Sequence, residues 1–228
     1  MYIKNRRNSN KFNGFVTFQS FCLPESTVLR NRLLFIYTTV TSLKKTRLKE
    51  KYIFKSTRLG FRNWRREDLE EFTEMNKDME VMEHFPKPLG RTESEKLMKR
   101  MQVHYEKNGY TYFATERVDA GEFIGFIGLA YQEYKTEFTP AIDIGWRLKK
   151  SYWGKGYATE GAMRCLRYAF DELDINKIIS VCTINNEKSE NVMKKIGMKK
   201  IGEFNHPEMI NHPEYEKHFC YKIEKNGD

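Results

Sequence analysis

What the chain has little of narrows it first. Only 6 Pro and 14 Gly occur in 228 residues, too few for a collagen-like or wholly disordered chain, and 31% of residues are charged against 39% hydrophobic, too polar for a membrane-embedded one. Long apolar runs are missing. The uncharged stretch Leu33 to Leu43 is bracketed by Arg32 and Lys44 and falls well short of the roughly 18 residues a spanning helix needs. Cys22, Cys165, Cys182 and Cys220 lie far apart, without the CxxC pairs or Cys/His spacing of a zinc site or redox pair, so no metal is expected. They read as reduced thiols of a cytoplasmic protein. A second uncharged stretch, Phe12 to Pro24, follows basic residues but carries Asn13, Gly14, Thr17, Gln19 and Ser20 and has no small-residue cleavage pattern, which argues against a secretion signal.

Charge of one sign is abundant only locally. The chain has 40 Lys+Arg and 31 Asp+Glu, a net +9 that taken alone suggests nucleic acid or a membrane surface. Residues 1–56 hold 12 of the basic and 2 of the acidic side chains, leaving 28 and 29 for residues 57–228. That remainder is close to neutral, so neither nucleic acid nor a membrane is expected as a partner. The leader shows no sustained period of 2 or 3.6. Residues 1–53 are expected to lie outside the working domain, as a disordered extension or one not native to the protein, with the domain over 54–228. No Met falls between Met1 and Met75, so a shorter product would need a non-Met start codon, and the intact mass of native protein separates the two cases.

From Arg58 onward the pattern is regular. Arg58 to Trp64 alternates as a half-buried strand does. A helix is expected around Asp68 to Asn76, and another opening at Thr92 with Glu95 as its capping-box partner and Leu97, Met101 and Tyr105 on one stripe. Tyr110 to Arg117 and Glu122 to Tyr131 form a hairpin about Asp119, Ala120 and Gly121. Ala141 to Leu148 is a further strand. The loop WGKGYATE, Trp153 to Glu160, then leads into a helix whose stripe is Ala158, Ala162, Cys165, Leu166, Ala169, Phe170 and Leu173. Lys177 to Thr183 is a β-branched strand, Asn186 to Ile196 a helix stopped by Gly197, and strands near Lys199 to Phe204 and Glu216 to Ile223 close the chain. This order makes one α/β (α+β) domain of about 170 residues.

A strand, a loop with Gly154 and Gly156, and a helix starting near Ala158 bring backbone N–H groups and the positive end of a helix dipole to one point, where a phosphate or pyrophosphate binds. Lys150 and Lys155 add counter-charge. The same pattern is also that of a plain strand-to-helix turn. It is not a Walker loop, because the GKST ending is missing, nor a dinucleotide fingerprint, because the third glycine is missing.

Three segments in order, IGWRLKKSYWGKGYATEGAMRCLRYAFDEL, NNEKSENVMKKIGM and FNHPEMINHPEYEKHFCYKI, resemble the GCN5-related N-acetyltransferase (GNAT) superfamily in its Rim-like branch, the RimJ/RimL-like ribosomal-protein N-terminal acetyltransferases. The resemblance runs from about Phe54 to Lys225. It implies a mixed, twisted sheet flanked by helices and splayed after its fourth strand, with acetyl-coenzyme A in the gap. By the same resemblance Ile144, Gly145, Trp146, Arg147 and Leu148 lie along the pantetheine arm. Ser151, Trp153, Gly154, Lys155, Gly156, Tyr157 and Ala158 wrap the pyrophosphate, and Asn186 and Ser189 of the NxxS element bind from the next helix.

Acyl transfer to an amine needs a neutral nucleophile, support for an oxyanion and a route for thiolate departure. Asp143, in the strand where the family often has Glu, is the preferred base, with Glu133 and Glu160 as further choices. As residues, Asp143 is equally an ordinary charge on an outer strand face, and Glu160 a complement to a helix dipole. Two departures from the family stand out. Met193 occupies the position, seven residues after Asn186, where many members have a tyrosine acid, which makes Ser189 the replacement. Ser151 stands where Arg or Gln is common, with Lys149 or Lys150 to compensate. His206 and His212 each precede a proline and read first as loop geometry. The implied partner is an amine, a protein N-terminus or a small molecule, met by a monomer or homodimer; the alternative is a non-catalytic coenzyme-A-binding regulator.

Overall fold

In the computed structural model residues 51–225 are described; the expectations for residues 1–50, Cys22 among them, lie outside the described residues. Eight strands form one sheet in the order β1-β2-β3-β4-β5-β6-β8-β7: β1 (Phe54–Lys55), β2 (Leu59–Arg62), β3 (Tyr112–Arg117), β4 (Phe123–Gln132), β5 (Ala141–Leu148), β6 (Lys177–Thr183), β7 (Lys199–Asn205) and β8 (Lys217–Glu224). Neighbours are antiparallel except β5 and β6, which are parallel and register at Asp143↔Ile179 alone. Beyond that pair β5 continues to Leu148 beside β4 with no β6 partner; the splay expected after the fourth strand follows the fifth here, because the two-residue β1 precedes the first strand read from the sequence. The helices are α1 (Leu69–Lys77), α2 (Arg91–Asn108), α3 (Tyr157–Arg167, prolonged by a π turn over Tyr168–Glu172), α4 (Glu187–Lys195) and the short α5 (Pro213–Glu216). None among the described residues is long and apolar enough to cross a membrane.

Each face of the sheet has its own core. Under α3 and α4, Ala162, Cys165, Leu166, Ala169 and Met193 pack on Leu59, Ile127, Ile144 and Ile178. The burial period of α3 follows the stripe in the sequence. Under α1 and α2, Phe72, Met75, Met98 and Met101 pack on Trp64, Ala114, Phe123 and Phe126. The strand β1 was not apparent in the sequence; Phe54 earns its place by stacking between Phe61 at 4.6 Å and Tyr168 at 4.3 Å. The α2 start needs correction. The helix opens at Arg91, one residue before Thr92, with Gly90 as N-cap and Glu93, not Glu95, reaching back to the Gly90 N–H at 2.9 Å. Gly90 is extended there, so Arg91 and Thr92 both fall inside the first turn.

Candidate active site

Alternation along β5 sends Ile144 and Leu148 into the core beneath α3 and α4 and turns Asp143, Gly145 and Arg147 to the face covered by α1 and α2. Tyr112, Gly128 and Gly145 are aligned across β3, β4 and β5. Gly145 leaves room for the Tyr112 ring, whose Cε1 would stand only 3.1 Å from a Cβ added there. The Tyr112 hydroxyl thereby reaches Asp143 and donates a short hydrogen bond to Oδ1, while Gln132 Nε2 donates to the Tyr112 oxygen at 3.2 Å. Asp143 is 5% exposed, so the outer-face alternative is set aside. Burial pushes its carboxyl up to about 6, opposed by the bonds from Tyr112 and Gln132. Burial, then Asp143, pushes the Tyr112 hydroxyl well up, so it keeps its proton.

Arg147 extends on the same face. Its Nη1 donates to Asn76 Oδ1 at 2.8 Å, and its guanidinium lies 4.3 Å from the Phe85 ring centroid and 5.4 Å from that of Phe126. Burial lowers its pKa to about 10. The side chain therefore points away from the α3 and α4 side; what β5 offers along the splay from Ile144 to Leu148, Trp146 included, is backbone.

The glycine loop lies at the end of that strand. Gly154 and Gly156 adopt φ of 71° and 79°, the left-handed region that a side chain strains. A Cβ at Gly154 would meet nothing within 4 Å. Glu160 N donates to Gly156 O at 3.0 Å, but among the described residues the N–H groups from Gly154 to Thr159 find no acceptor in the protein. Open space and free N–H groups at a helix N-terminus fit the anionic oxygens of a pyrophosphate. Trp153 anchors the loop through Nε1 to Leu148 O at 2.8 Å, and Tyr157 is buried. Lys149 and Lys150 pair with Glu71 and Glu80 at 2.5 Å each, whereas Lys155 lies over Tyr152 with no ion pair among the described residues. Ser151 is exposed and Ala158 half-buried.

On α4, Asn186 is the N-cap, its Oδ1 accepting from Ser189 N at 3.0 Å, so its amide nitrogen is what it can offer a ligand. Ser189 is half-buried. Met193 is a core residue, 1% exposed. Glu160 sits in a latch, accepting from Ser56 Oγ at 2.7 Å, Arg58 N at 2.8 Å and Arg58 Nε at 2.6 Å. Burial raises its pKa, but these bonds outweigh it and hold the carboxylate below its ordinary value. Those contacts tie α3 to the β1–β2 turn. Glu133 is exposed. His206 caps the turn Pro207–Met209 and accepts from Glu208 N at 3.3 Å; burial, then His218, holds it neutral with a pKa of about 4. His212 caps α5. Both histidines shape X-Pro turns.

Sequence reasoning did not single out Tyr112, Gln132, Asn76 or Arg58, the last of which donates to Lys155 O at 3.1 Å beside the loop. Tyr112 lies within the run Tyr110 to Arg117 expected as a strand, but only the three-strand register joins it to Asp143.

Residues 58–199 match a family model described as an acetyltransferase (GNAT) domain. The chain is 34% identical to an uncharacterized N-acetyltransferase of Bacillus subtilis, YnaD, over 149 residues, which cover 64% of this chain and 82% of that protein. A crystal structure of a GNAT-family acetyltransferase from Bacillus anthracis superposes with a TM-score of 0.62 at 28% identity, covering 75% of this chain and 96% of that one. The ribosomal-protein-S5-alanine acetyltransferase of Vibrio fischeri shares the fold, with a TM-score of 0.58 at 20% identity over 76% of this chain and 96% of that one.

Proposed function

Since the chain belongs to the GNAT acetyltransferase family, we propose that it moves an acetyl group from acetyl-coenzyme A to a primary amine by direct attack in a ternary complex. The acceptor in this reading is a protein N-terminus, as the Rim-like motif order suggests, or a small-molecule amine, met in the cytoplasm. The observation that carries it is the β5–β6 splay, whose unpaired strand edge runs from Asp143 toward a loop of free N–H groups. Bound there, acetyl-coenzyme A supplies an activated acetyl thioester.

The protein's own residues meet the remaining needs. The N–H groups of residues 154–159 hold the pyrophosphate with Lys155 as counter-charge, and the backbone of Ile144 to Leu148 with the Asn186 amide lines the pantetheine arm. Asp143 removes the amine proton. With a pKa near 6 it is ionised at neutral pH yet more basic than an exposed carboxylate. The Tyr112 hydroxyl, bonded to Asp143, can take a proton on its oxygen while passing its own to Asp143. Ser189, on the first turn of α4, is the hydroxyl available to the departing thiolate. Glu160 has no part in this chemistry.

Calorimetric titration with coenzyme A and thiol release from acetyl-coenzyme A with a panel of amines test the reading. Replacing Gly154 and Gly156 by Val should abolish coenzyme binding; unchanged binding sinks the loop assignment. A second reading, a coenzyme-A-binding regulator without activity, is favoured by Met193 lying in the core where a tyrosine acid is common. Persistent silence toward all amines at saturating coenzyme would select it.

A further inference from the structure

Arg147 sits on the floor of the site with no carboxylate paired to it among the described residues. Its neighbours Lys149 and Lys150 each hold a carboxylate, as do Arg58 and Lys188 near the glycine loop. Arg147 makes one hydrogen bond among the described residues, from Nη1 to the neutral Asn76 amide. Asn76 is fully buried and its own Nδ2 donates to Ser94 Oγ at 3.0 Å, so that amide is fixed as a positioner of the guanidinium. Nε is enclosed and has no partner, and Nη2 has none among the described residues. These two N–H groups form the side-on edge that receives both oxygens of a carboxylate. Phe85, 39% exposed on the α1–α2 connection, covers the guanidinium face and is the side chain a ligand must share or displace. Arg147 is half-buried, and enclosing part of a guanidinium without an opposite charge is unfavourable unless something else pairs with it.

We infer that the acceptor carries a carboxylate and that the Nε–Nη2 edge of Arg147 binds it, with the acceptor's amine at Asp143 and Tyr112. The inference rests on the acetyl-transfer reading for the role of the amine end. Asp143 and Arg147 lie four residues apart on one strand face, about 13 Å between Cα atoms at strand spacing, with the Tyr112 ring over Gly145 between them. An amine and a carboxylate joined by a few methylenes or one peptide unit suit that separation, and polyamines, which are polycations, do not supply the second group.

Coenzyme-A-saturated protein is titrated calorimetrically with ω-amino carboxylates from glycine to 6-aminohexanoate and with the matching carboxamides. At one or more chain lengths the carboxylate should bind at least tenfold tighter. Arg147→Met should bring the ratio near one, Arg147→Lys should keep part of it, and affinity for coenzyme A should stay within twofold in both. Equal or undetectable affinities at every length in the wild type overturn the inference, and that arm needs no variant to fold. So does a ratio that survives Arg147→Met, or a loss of coenzyme A affinity in step with the ratio, which would give the guanidinium to the coenzyme. Thiol release is read separately on the same ladder. Discrimination without thiol release removes acetyl transfer and leaves the carboxylate site; thiol release without discrimination removes the carboxylate site alone.

Discussion

Arg62 is buried and Arg147 half-buried on the same sheet, and the fold treats them in opposite ways. Arg62 on β2 is bound by Asp68 through Nη1 at 2.7 Å and Nη2 at 2.6 Å, and by Glu116 through Nε at 2.7 Å. Glu116 in turn holds Lys51 at 2.6 Å and the Tyr52 hydroxyl at 2.9 Å. Burial lowers the Arg62 pKa, but the two carboxylates outweigh it and the net shift is upward. On β5 the sign is reversed: burial takes Arg147 down to about 10 and Asp143 up to about 6. The first region is a closed network that fixes β2, β3 and the entry to α1. The second holds a buried carboxyl and a half-buried guanidinium without completing their shells, which is the arrangement a charged or proton-transferring ligand completes.

The sharpest way to break the comparison is to remove both guanidiniums. Arg62→Met strips Asp68 of its only ion pair among the described residues, leaves Glu116 to Lys51 and Tyr52 alone, and should cost about 3–5 kcal/mol in denaturant unfolding. Arg147→Met strands no partner charge and should leave stability within about 1 kcal/mol of wild type or raise it. Equal losses would mean that Arg147 is structural in the same sense as Arg62. Next in size is Asp143→Asn, which should lower the thiol-release rate about 100-fold and remove a limb near pH 6 from the pH profile of kcat/KM. Its effect on stability has the opposite direction. Between the ordinary 3.8 and the folded value of about 6 the folded state holds a proton the unfolded chain has lost, so stability falls as pH climbs through that window and stays lower above it. The Asn variant lacks this loss and should be more stable than wild type at pH 8 by about 1–3 kcal/mol. Unfolding curves at pH 4 and pH 8 measure it; a constant difference between the two proteins removes the buried carboxyl from the account.

What could be read from the sequence divides along the same line. WGKGYATE announces itself because its chemistry is local: two glycines and a helix start within eight residues. The α3 stripe carries a period that burial then follows, and the β-branched run Lys177 to Thr183 is a strand buried along most of its length. Arg62 and Arg147 look alike in the sequence, because the contrast between them is made by Asp68, Glu116 and Asn76, brought in from other elements. Glu160 is a candidate base by composition and a latch by geometry, since Ser56 lies 104 residues away from it in the chain. Asp143 stood open between base and surface charge until the register of three strands set Tyr112 against it.

That register gives the smallest and most specific prediction. Gly145 has no positive φ, so Ala fits its backbone, and the strain falls on the Tyr112 ring 3.1 Å from the new Cβ. The ring rests near Phe126 at 5.4 Å and is held at its far end by Asp143 and Gln132, so it can move only by lengthening those bonds. Gly145→Ala should therefore change stability by less than about 1 kcal/mol and slow turnover several-fold. The Tyr112 bond favours the ionised form of Asp143, so weakening it should move the acidic limb of kcat/KM to higher pH. Tyr112→Phe removes the bond outright and should move the limb further in the same direction. A limb that stays in place in both variants would separate Tyr112 from the proton chemistry and leave its ring as packing above a glycine floor.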